Sequence, residues 1–402
     1  MINKKFNPAS AVQDAQNFGE FGGVNPSITD SSTYVFSKAE TMQGTFEGEV
    51  EGCYLYSRHW NPTNKNLADT LAKMEGAESA QVVGSGMAAI SNTTMQICEA
   101  GDHIISSQTI YGGTYSFFHF YLPKFNVHTT LLDITDLKAV ENAITPNTKM
   151  IFCEVMSNPL LEIANIKALA DLAHKNGIKL VVDNTFTPMI FSPLAFGADV
   201  VIHSLTKFIN GASDTVAGVI CSTTEFIDSL MDLNTGSTML LGPTMDSMRA
   251  ASVLKNLRTL HIRIMQHSKN ALYLSQKLQA DGVSVRYAGL EDHPSHSLMK
   301  AQMNDGFGFG GMVLIDCKTK ENAFKLMNSM HEDNVGYLAV SLGFYKTLFS
   351  APGSSTSSEI PEDEQGEMGL SPGLIRMSVG LDMDMDRTYE TINIRLKEIG
   401  LI

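Results

Sequence analysis

The chain is short of several features that would define its class. Five cysteines stand at positions 53, 98, 153, 221 and 317 of its 402 residues, odd in number and never as Cys-x-x-Cys. That spacing excludes a disulfide framework or a cysteine-based zinc module and points to a reducing cytoplasm. No run of about 18 apolar residues is present, so no membrane span is expected. The opening MINKKFNPASAVQDAQNF holds no apolar core of signal-peptide length. Basic residues are in deficit, 29 Lys+Arg against 43 Asp+Glu, for a formal net charge of −14. With no dense Lys/Arg cluster, a nucleic-acid partner is excluded. Close histidines occur at His293-Pro294-Ser295-His296; a proline between them and no further ligand nearby read as a loop, and no metal site is expected. There is no internal repeat. What is present is a hydrophobic fraction of 43%, ordinary for a soluble chain and enough for two domains with separate cores.

Residues 1–55 are polar, glycine-rich and weakly periodic, and read as an extended arm. Regular patterning starts at Asn61-Pro62-Thr63, a helix start, with Leu67, Leu71 and Met74 on one face and Gly76 as the stop. Strands near 79–83, 103–107, 126–132, 149–155, 178–183 and 199–204 then alternate with helices over 86–99, 113–122, 135–144 and 166–176. Such alternation predicts βαβ units and a mainly parallel sheet with helices on both faces. Asp214–Ser222 reads as one more strand, its direction open to reversal. A helical pattern from Thr244 to about Ala280 bridges to a smaller α+β unit with strands at 310–316 and 374–379 and a helix over 320–330. Residues 350–369, rich in Ser, Pro, Gly and acid, read as a loop. The expected division is an arm (1–55), a large α/β domain (56–255) and a C-terminal domain including the bridging helix (256–402).

Two strand ends carry the chemistry. The apolar run Val200-Val201-Ile202 leads into His203-Ser204-Leu205-Thr206-Lys207, and Leu180-Val181-Val182 leads into Asp183. A lysine at the end of a buried strand is poorly solvated, so its neutral amine is easier to form. Taken singly, Lys207 reads as a snorkelling strand-end lysine and Asp183 as a turn cap. Together they supply what pyridoxal 5'-phosphate (PLP) needs: an amine to condense with its aldehyde and a carboxylate to hold its pyridine nitrogen protonated. Upstream, Val83-Gly84-Ser85-Gly86-Met87 is a strand, a turn and a helix start, an anion site. It also satisfies G-x-G-x-x-A, but the next strand, ending at Gln108, lacks the acid a dinucleotide ribose requires, so a single phosphate is the better ligand. Ser204-x-x-Lys207 matches the penicillin-recognising S-x-x-K, yet no Ser-Asp-Asn or Lys-Thr-Gly accompanies it. Tyr111, after a strand and before Gly112-Gly113-Thr114, is placed to lie flat on an aromatic cofactor.

These strings in this order resemble the Cys/Met-metabolism (transsulfuration) PLP enzymes of fold type I, over essentially the whole chain. Further matching strings are Tyr56-Ser57-Arg58, Asn158-Pro159, Ser341-Leu342-Gly343 and Arg376-Met377-Ser378-Val379-Gly380. Gly242-Pro243-Thr244-Met245, the serine-rich 353–358 and the segment from Ile360 to Gly373 are most similar to the plant-type methionine γ-lyase branch. The resemblance implies that Lys207 carries the cofactor covalently, that Asp183 pairs with the pyridine nitrogen and that Tyr111 stacks on the ring. Gly86, Met87, Ser204 and Thr206 would hold the phosphate. Tyr56 and Arg58 would reach the phosphate of a neighbouring subunit, making the active unit a homodimer at least, with a tetramer as a dimer of dimers. Arg376, helped by Asn158 and Ser341, would clamp the substrate carboxylate.

Relatives that cleave cystathionine carry charged side chains at positions matching Leu55, Ser116 and Val340; here all three are uncharged. A distal zwitterion would lack ionic partners, whereas a methyl thioether needs none. The implied reaction is α,γ-elimination of L-methionine to methanethiol, ammonia and 2-oxobutyrate. Gamma-replacement on an acylated homoserine and cystathionine cleavage remain open alternatives. Gly113 stands where many bacterial methionine γ-lyases have cysteine.

Overall fold

The structure, a computed structural model, describes residues 6–50, 52–355, 365–366 and 368–402. Seven strands, β1 (Ser79–Val83), β2 (His103–Ser107), β3 (His128–Leu132), β4 (Thr148–Glu154), β5 (Lys179–Asp183), β6 (Val200–Ser204) and β7 (Gly218–Ser222), form one sheet in the order β1-β7-β6-β5-β4-β2-β3. Every pairing from β6 to β3 is parallel, and β7 runs antiparallel to both its neighbours. The reversed strand expected within 214–222 is therefore β7. The central strands are apolar without alternation because both faces are covered: Val181, Val182, Val200, Val201 and Ile202 are fully buried. On one face pack the helices Pro62–Glu75, Ile166–Lys175 and Ser247–Leu257; on the other pack Gly86–Ile97 and Thr224–Leu230.

The helix Pro62–Glu75 starts and stops as its sequence signals. The Asn61 side chain accepts the N–H groups of Thr63 and Asn64, Pro62 opens the first turn, and Gly76 closes it in the left-handed conformation. Leu67, Leu71 and Met74 face the core.

A second sheet is built from β8 (Ser284–Arg286), β9 (Met312–Asp316), β10 (Gly336–Leu338), β11 (Thr347–Ser350) and β12 (Leu374–Ser378), in the order β10-β11-β12-β9-β8. The 21-residue helix Leu260–Ala280 and the helices Lys320–Glu332 and Met385–Glu398 cover it. The architecture is α/β, a mostly parallel sheet between helical layers beside a smaller α+β unit, as the sequence predicts. Three expectations need correction. The helix over 113–122 is a short turn at Gly112–Ser116 that widens into a π-helix at Phe117–Tyr121. The helical stretch 244–280 breaks at Arg258-Thr259 into two helices. The arm is not wholly extended: Asn7 caps a helix at Pro8–Gln13, which packs on Pro62–Glu75 and buries Val12. A six-residue helix is too short for periodicity to reveal. Half of the loop expected over 350–369, residues 356–364 and 367, lies outside the described residues. Among the described residues no helix is long and apolar enough to cross a membrane.

Candidate active site

Parallel strands bring their carboxyl ends to one edge, and a crevice outside that edge is where such sheets hold ligands. Here β4, β5 and β6 end in Glu154, Asp183 and Ser204, and all three line one cleft of about 890 Å³, its open mouth included. Gly86, Met87, Tyr111, Asn158, Thr206, Lys207 and Arg376 line it too. Nine of the twelve residues singled out from the sequence thus converge from six separate chain segments.

At one end of the cleft the helix Gly86–Ile97 begins. Ser85 caps it, accepting the Ala88 N–H at 2.9 Å, and the N–H groups of Gly86 and Met87 belong to the unpaired first turn. A β-carbon at position 86 would come within 2.7 Å of the Ser204 side chain, so only glycine lets the helix start sit against the end of β6. Thr206 lies alongside, its hydroxyl accepting the Ala217 N–H at 3.1 Å.

Lys207 follows at the centre. Its Nζ donates to Ser341 Oγ at 3.1 Å, which places Ser341 on the reactive amine. The Ser341-Leu342-Gly343 segment approaches closely because Gly343, at φ +79°, has no side chain to strike the Phe208 backbone nitrogen, 2.5 Å from where its β-carbon would stand. Burial, reinforced by the positive charge of Arg376, brings the Lys207 ammonium down to a pKa of about 8.

Asp183 forms the floor and accepts the Thr185 N–H at 2.9 Å. Burial raises its pKa; the Thr185 hydrogen bonds and His203 oppose that rise. His203 points to the opposite face of the sheet from its neighbour Ser204. There its Nε2 lies 2.7 Å from Glu75 Oε1 in a fully buried pair, and Asn184 donates to the same oxygen at 3.4 Å.

Arg376, on β12, reaches in from the second sheet. It is 3% exposed, and its Nη1 donates to Asn158 Oδ1 at 2.9 Å. Burial lowers its pKa to about 10. Tyr111 stands over the cleft, 42% exposed. A β-carbon at Gly113 would lie 2.5 Å from Tyr111 Cε1 and 3.2 Å from Met87 Sδ. The absence of a side chain at 113 is therefore what lets the tyrosine ring occupy its place.

Tyr56 and Arg58 do not join the cleft. Arg58 Nη1 donates to Met239 O at 2.6 Å, and its guanidinium lies 5.8 Å from the Tyr56 ring centre. Of the three uncharged positions compared with cystathionine-cleaving relatives, Val340 lines the cleft, while Ser116 borders a neighbouring hollow and Leu55 lies beside Tyr56.

Sequence reasoning overlooked Glu154, Thr185, Phe186, Val216 and Leu342, all on the wall of the cleft. Glu154 had a weaker signal than Asp183: it interrupts an apolar run that continues through Val155, so in the sequence it does not mark a strand end. It is 8% exposed; burial and the facing Asp183 raise its pKa well above the carboxylate range, against the pull of two main-chain N–H groups and Arg376.

The family model described as Cys/Met metabolism PLP-dependent enzyme matches residues 9–389. The chain belongs to that family. Methionine gamma-lyase of Arabidopsis thaliana is 43% identical to it over 380 residues, 93% of this chain and 86% of the relative. O-succinylhomoserine sulfhydrylase of Pseudomonas aeruginosa is 37% identical, over 94% of this chain and 91% of the relative. The crystal structure of cystathionine gamma-lyase from Lactobacillus plantarum complexed with L-serine matches with a TM-score of 0.87 at 30% identity, covering 98% of this chain and 99% of that one. The cleft of this family member fits PLP by the chemistry of its donors. N–H groups and hydroxyls suited to a phosphate stand at one end, an easily deprotonated amine at the centre and a recessed carboxylate on the floor.

Proposed function

We propose that this protein is a carbon–sulfur lyase that breaks the Cγ–S bond of L-methionine, eliminating methanethiol and, with the consumption of water, giving ammonia and 2-oxobutyrate. The observation that carries the reading is the wall of the cleft. Beyond Glu154, Asp183, Lys207 and Arg376, its side chains are uncharged, with Ile90, Phe186, Val216, Val340 and Leu342 supplying apolar surface. A methyl thioether is at home against such a wall, and a second zwitterion is not.

Gly86, Met87, Ser204 and Thr206 hold the phosphate in this reading, Lys207 is the covalent attachment point, and Asp183 keeps the ring nitrogen charged. Bound PLP supplies an electron sink for negative charge developing on the substrate carbons. Arg376 and Asn158, with Ser341, take the substrate carboxylate and so fix which carbon faces Lys207. The Lys207 amine, whose extra proton burial makes easier to lose, removes the Cα proton. Tyr111 overhangs the cleft and is placed to give a proton to the departing sulfur.

Tyr56 and Arg58 serve a second copy of the chain in this reading, the unit being a homodimer at least and a tetramer when two dimers join. Exposed Tyr56, Leu240 and Leu241 beside Arg58 support a covered face there. The same division assigns residues 1–55 to an arm against the neighbour, 56–255 to the large domain and 256–402 to the small one. Five unpaired cysteines support a cytoplasmic location.

The likeness to a sulfhydrylase favours one second reading, γ-replacement on an acylated homoserine. Purified protein with PLP, supplied with L-methionine, is expected to release methanethiol and 2-oxobutyrate in equal amounts. Turnover of O-acetylhomoserine with sulfide, and none of methionine, overturns the lyase assignment.

A further inference from the structure

Glu154 and Asp183 are the last residues of adjacent strands and stand in register, side by side. The roles above use only Asp183. Glu154 nevertheless has both oxygens committed. Its Oε1 accepts the Tyr111 N–H at 3.0 Å, and its Oε2 accepts the Asn158 N–H at 2.7 Å. Those two N–H groups belong to different loops. One follows β2 and presents the Tyr111 ring; the other follows β4 and presents Asn158, whose Oδ1 receives Arg376 at 2.9 Å. A single buried side chain thus joins the loop over the cofactor cleft to the loop that aims the arginine.

We propose that Glu154 is a positioning residue for carboxylate recognition: it ties the Tyr111 loop to the Asn158 loop and, through Asn158, sets the direction of Arg376. The inference rests on the reading that Arg376 takes the substrate carboxylate. The tie uses oxygen lone pairs and holds whether or not the acid carries its proton. A glutamine fills the same volume but offers one acceptor oxygen and one NH2. Its NH2 has to face one of the two N–H groups, leaving that N–H without a partner in a buried place.

The test uses the PLP-loaded protein and L-norleucine, a methionine analogue with no leaving group, alongside its carboxamide. Binding of each is followed through the visible absorbance of the cofactor, and cofactor affinity is measured separately. Wild type is expected to prefer the acid over the amide. Glu154→Gln is expected to lose about 10-fold of that preference, the scale of one misdirected charge-assisted hydrogen bond, read at saturating cofactor because Glu154 also holds the Tyr111 loop and adjoins Asp183. The loss should vanish in an Asn158→Ala background, where the link to Arg376 is already cut. A purely structural Glu154 would lower the unfolding midpoint and leave the preference intact. If Glu154→Gln does not fold, Glu154→Asp keeps the acid on a shorter arm, and a smaller loss of preference is expected. An unchanged preference in the folded variant, or an equal loss with and without Asn158, overturns the role of Glu154 alone. A wild type that binds acid and amide alike overturns it together with the reading beneath it.

Discussion

Replacing Gly211 by alanine should disturb the protein far beyond a methyl group's worth, because it strikes the brace behind Lys207. Gly211 sits at φ +68°, and its added β-carbon would stand 2.3 Å from Arg263 Nη1 and 2.9 Å from Arg263 Cζ. An arginine tip can ordinarily swing aside. This one is pinned: it donates to the carbonyls of Phe208 at 2.5 Å, Ile209 at 2.8 Å and Asn256 at 3.0 Å. Burial lowers its pKa to about 10, and no carboxylate pairs with it among the described residues. Arg263 therefore caps the turn immediately after the reactive lysine, doing for those carbonyls what a further helical turn would do. Left-handed alanine costs about 1–2 kcal/mol. Losing even one of the three charge-assisted bonds adds about 1.5–3 kcal/mol. The sum, about 3–5 kcal/mol, corresponds to an unfolding midpoint lower by roughly 6–20 °C for a domain of some 200 residues. Thermal and urea unfolding of the cofactor-free protein would measure it, in a cycle with Arg263→Ala. Where Arg263 is already gone, Gly211→Ala should cost only the backbone strain of about 1–2 kcal/mol. An equal cost in both backgrounds refutes the argument that glycine is there to admit the arginine.

Capture of PLP by the cofactor-free protein requires the neutral Lys207 amine, so its rate should rise about tenfold per pH unit up to about pH 8 and then level off, following the depressed pKa. The same group carries a stability signature. Its folded pKa lies below its unfolded value near 10.5, so the unfolded chain binds more protons between about 8 and 10.5, and the cofactor-free protein should gain stability there relative to Lys207→Met as pH rises. A capture midpoint near 10.5 would contradict the burial argument. Gly113→Ala should push the Tyr111 ring from its place, since the new β-carbon falls 2.5 Å from Cε1. Tyrosine's free end can yield, so unfolding should shift little, but kcat should fall at least 10-fold if Tyr111 protonates the leaving sulfur; an unchanged kcat removes Tyr111 from that role.

Much of this was legible in the chain because the site sits at strand ends. A continuous apolar run that stops at a single polar residue announces a side chain delivered to the edge of a buried sheet, and Lys207 and Asp183 were found that way. The parallel sheet itself followed from alternating strand and helix patterns; the direction of β7 stayed open in the sequence and is decided by its antiparallel pairing with β1 and β6. The small unit was read less completely. Its strands β8 and β10 have three residues each, too few to show a period, and they are ordered by pairing with β9 and β11.

The brace around the lysine was illegible for a different reason. Arg263 lies in the first turn of a long helix, and only the folded chain shows that its partners are main-chain carbonyls, which no residue type encodes. Glu154 falls between these cases. It ends a strand next to Asp183 in space, but in the sequence the apolar run continues through Val155 and Met156, so the rule that found Asp183 did not single it out. Its partners are again backbone groups, the N–H of Tyr111 and of Asn158. Side chains that meet substrate betray themselves by type and position; side chains that hold the backbone in place for them do not, and a site read from sequence therefore shows what touches the ligand before it shows what does the aiming.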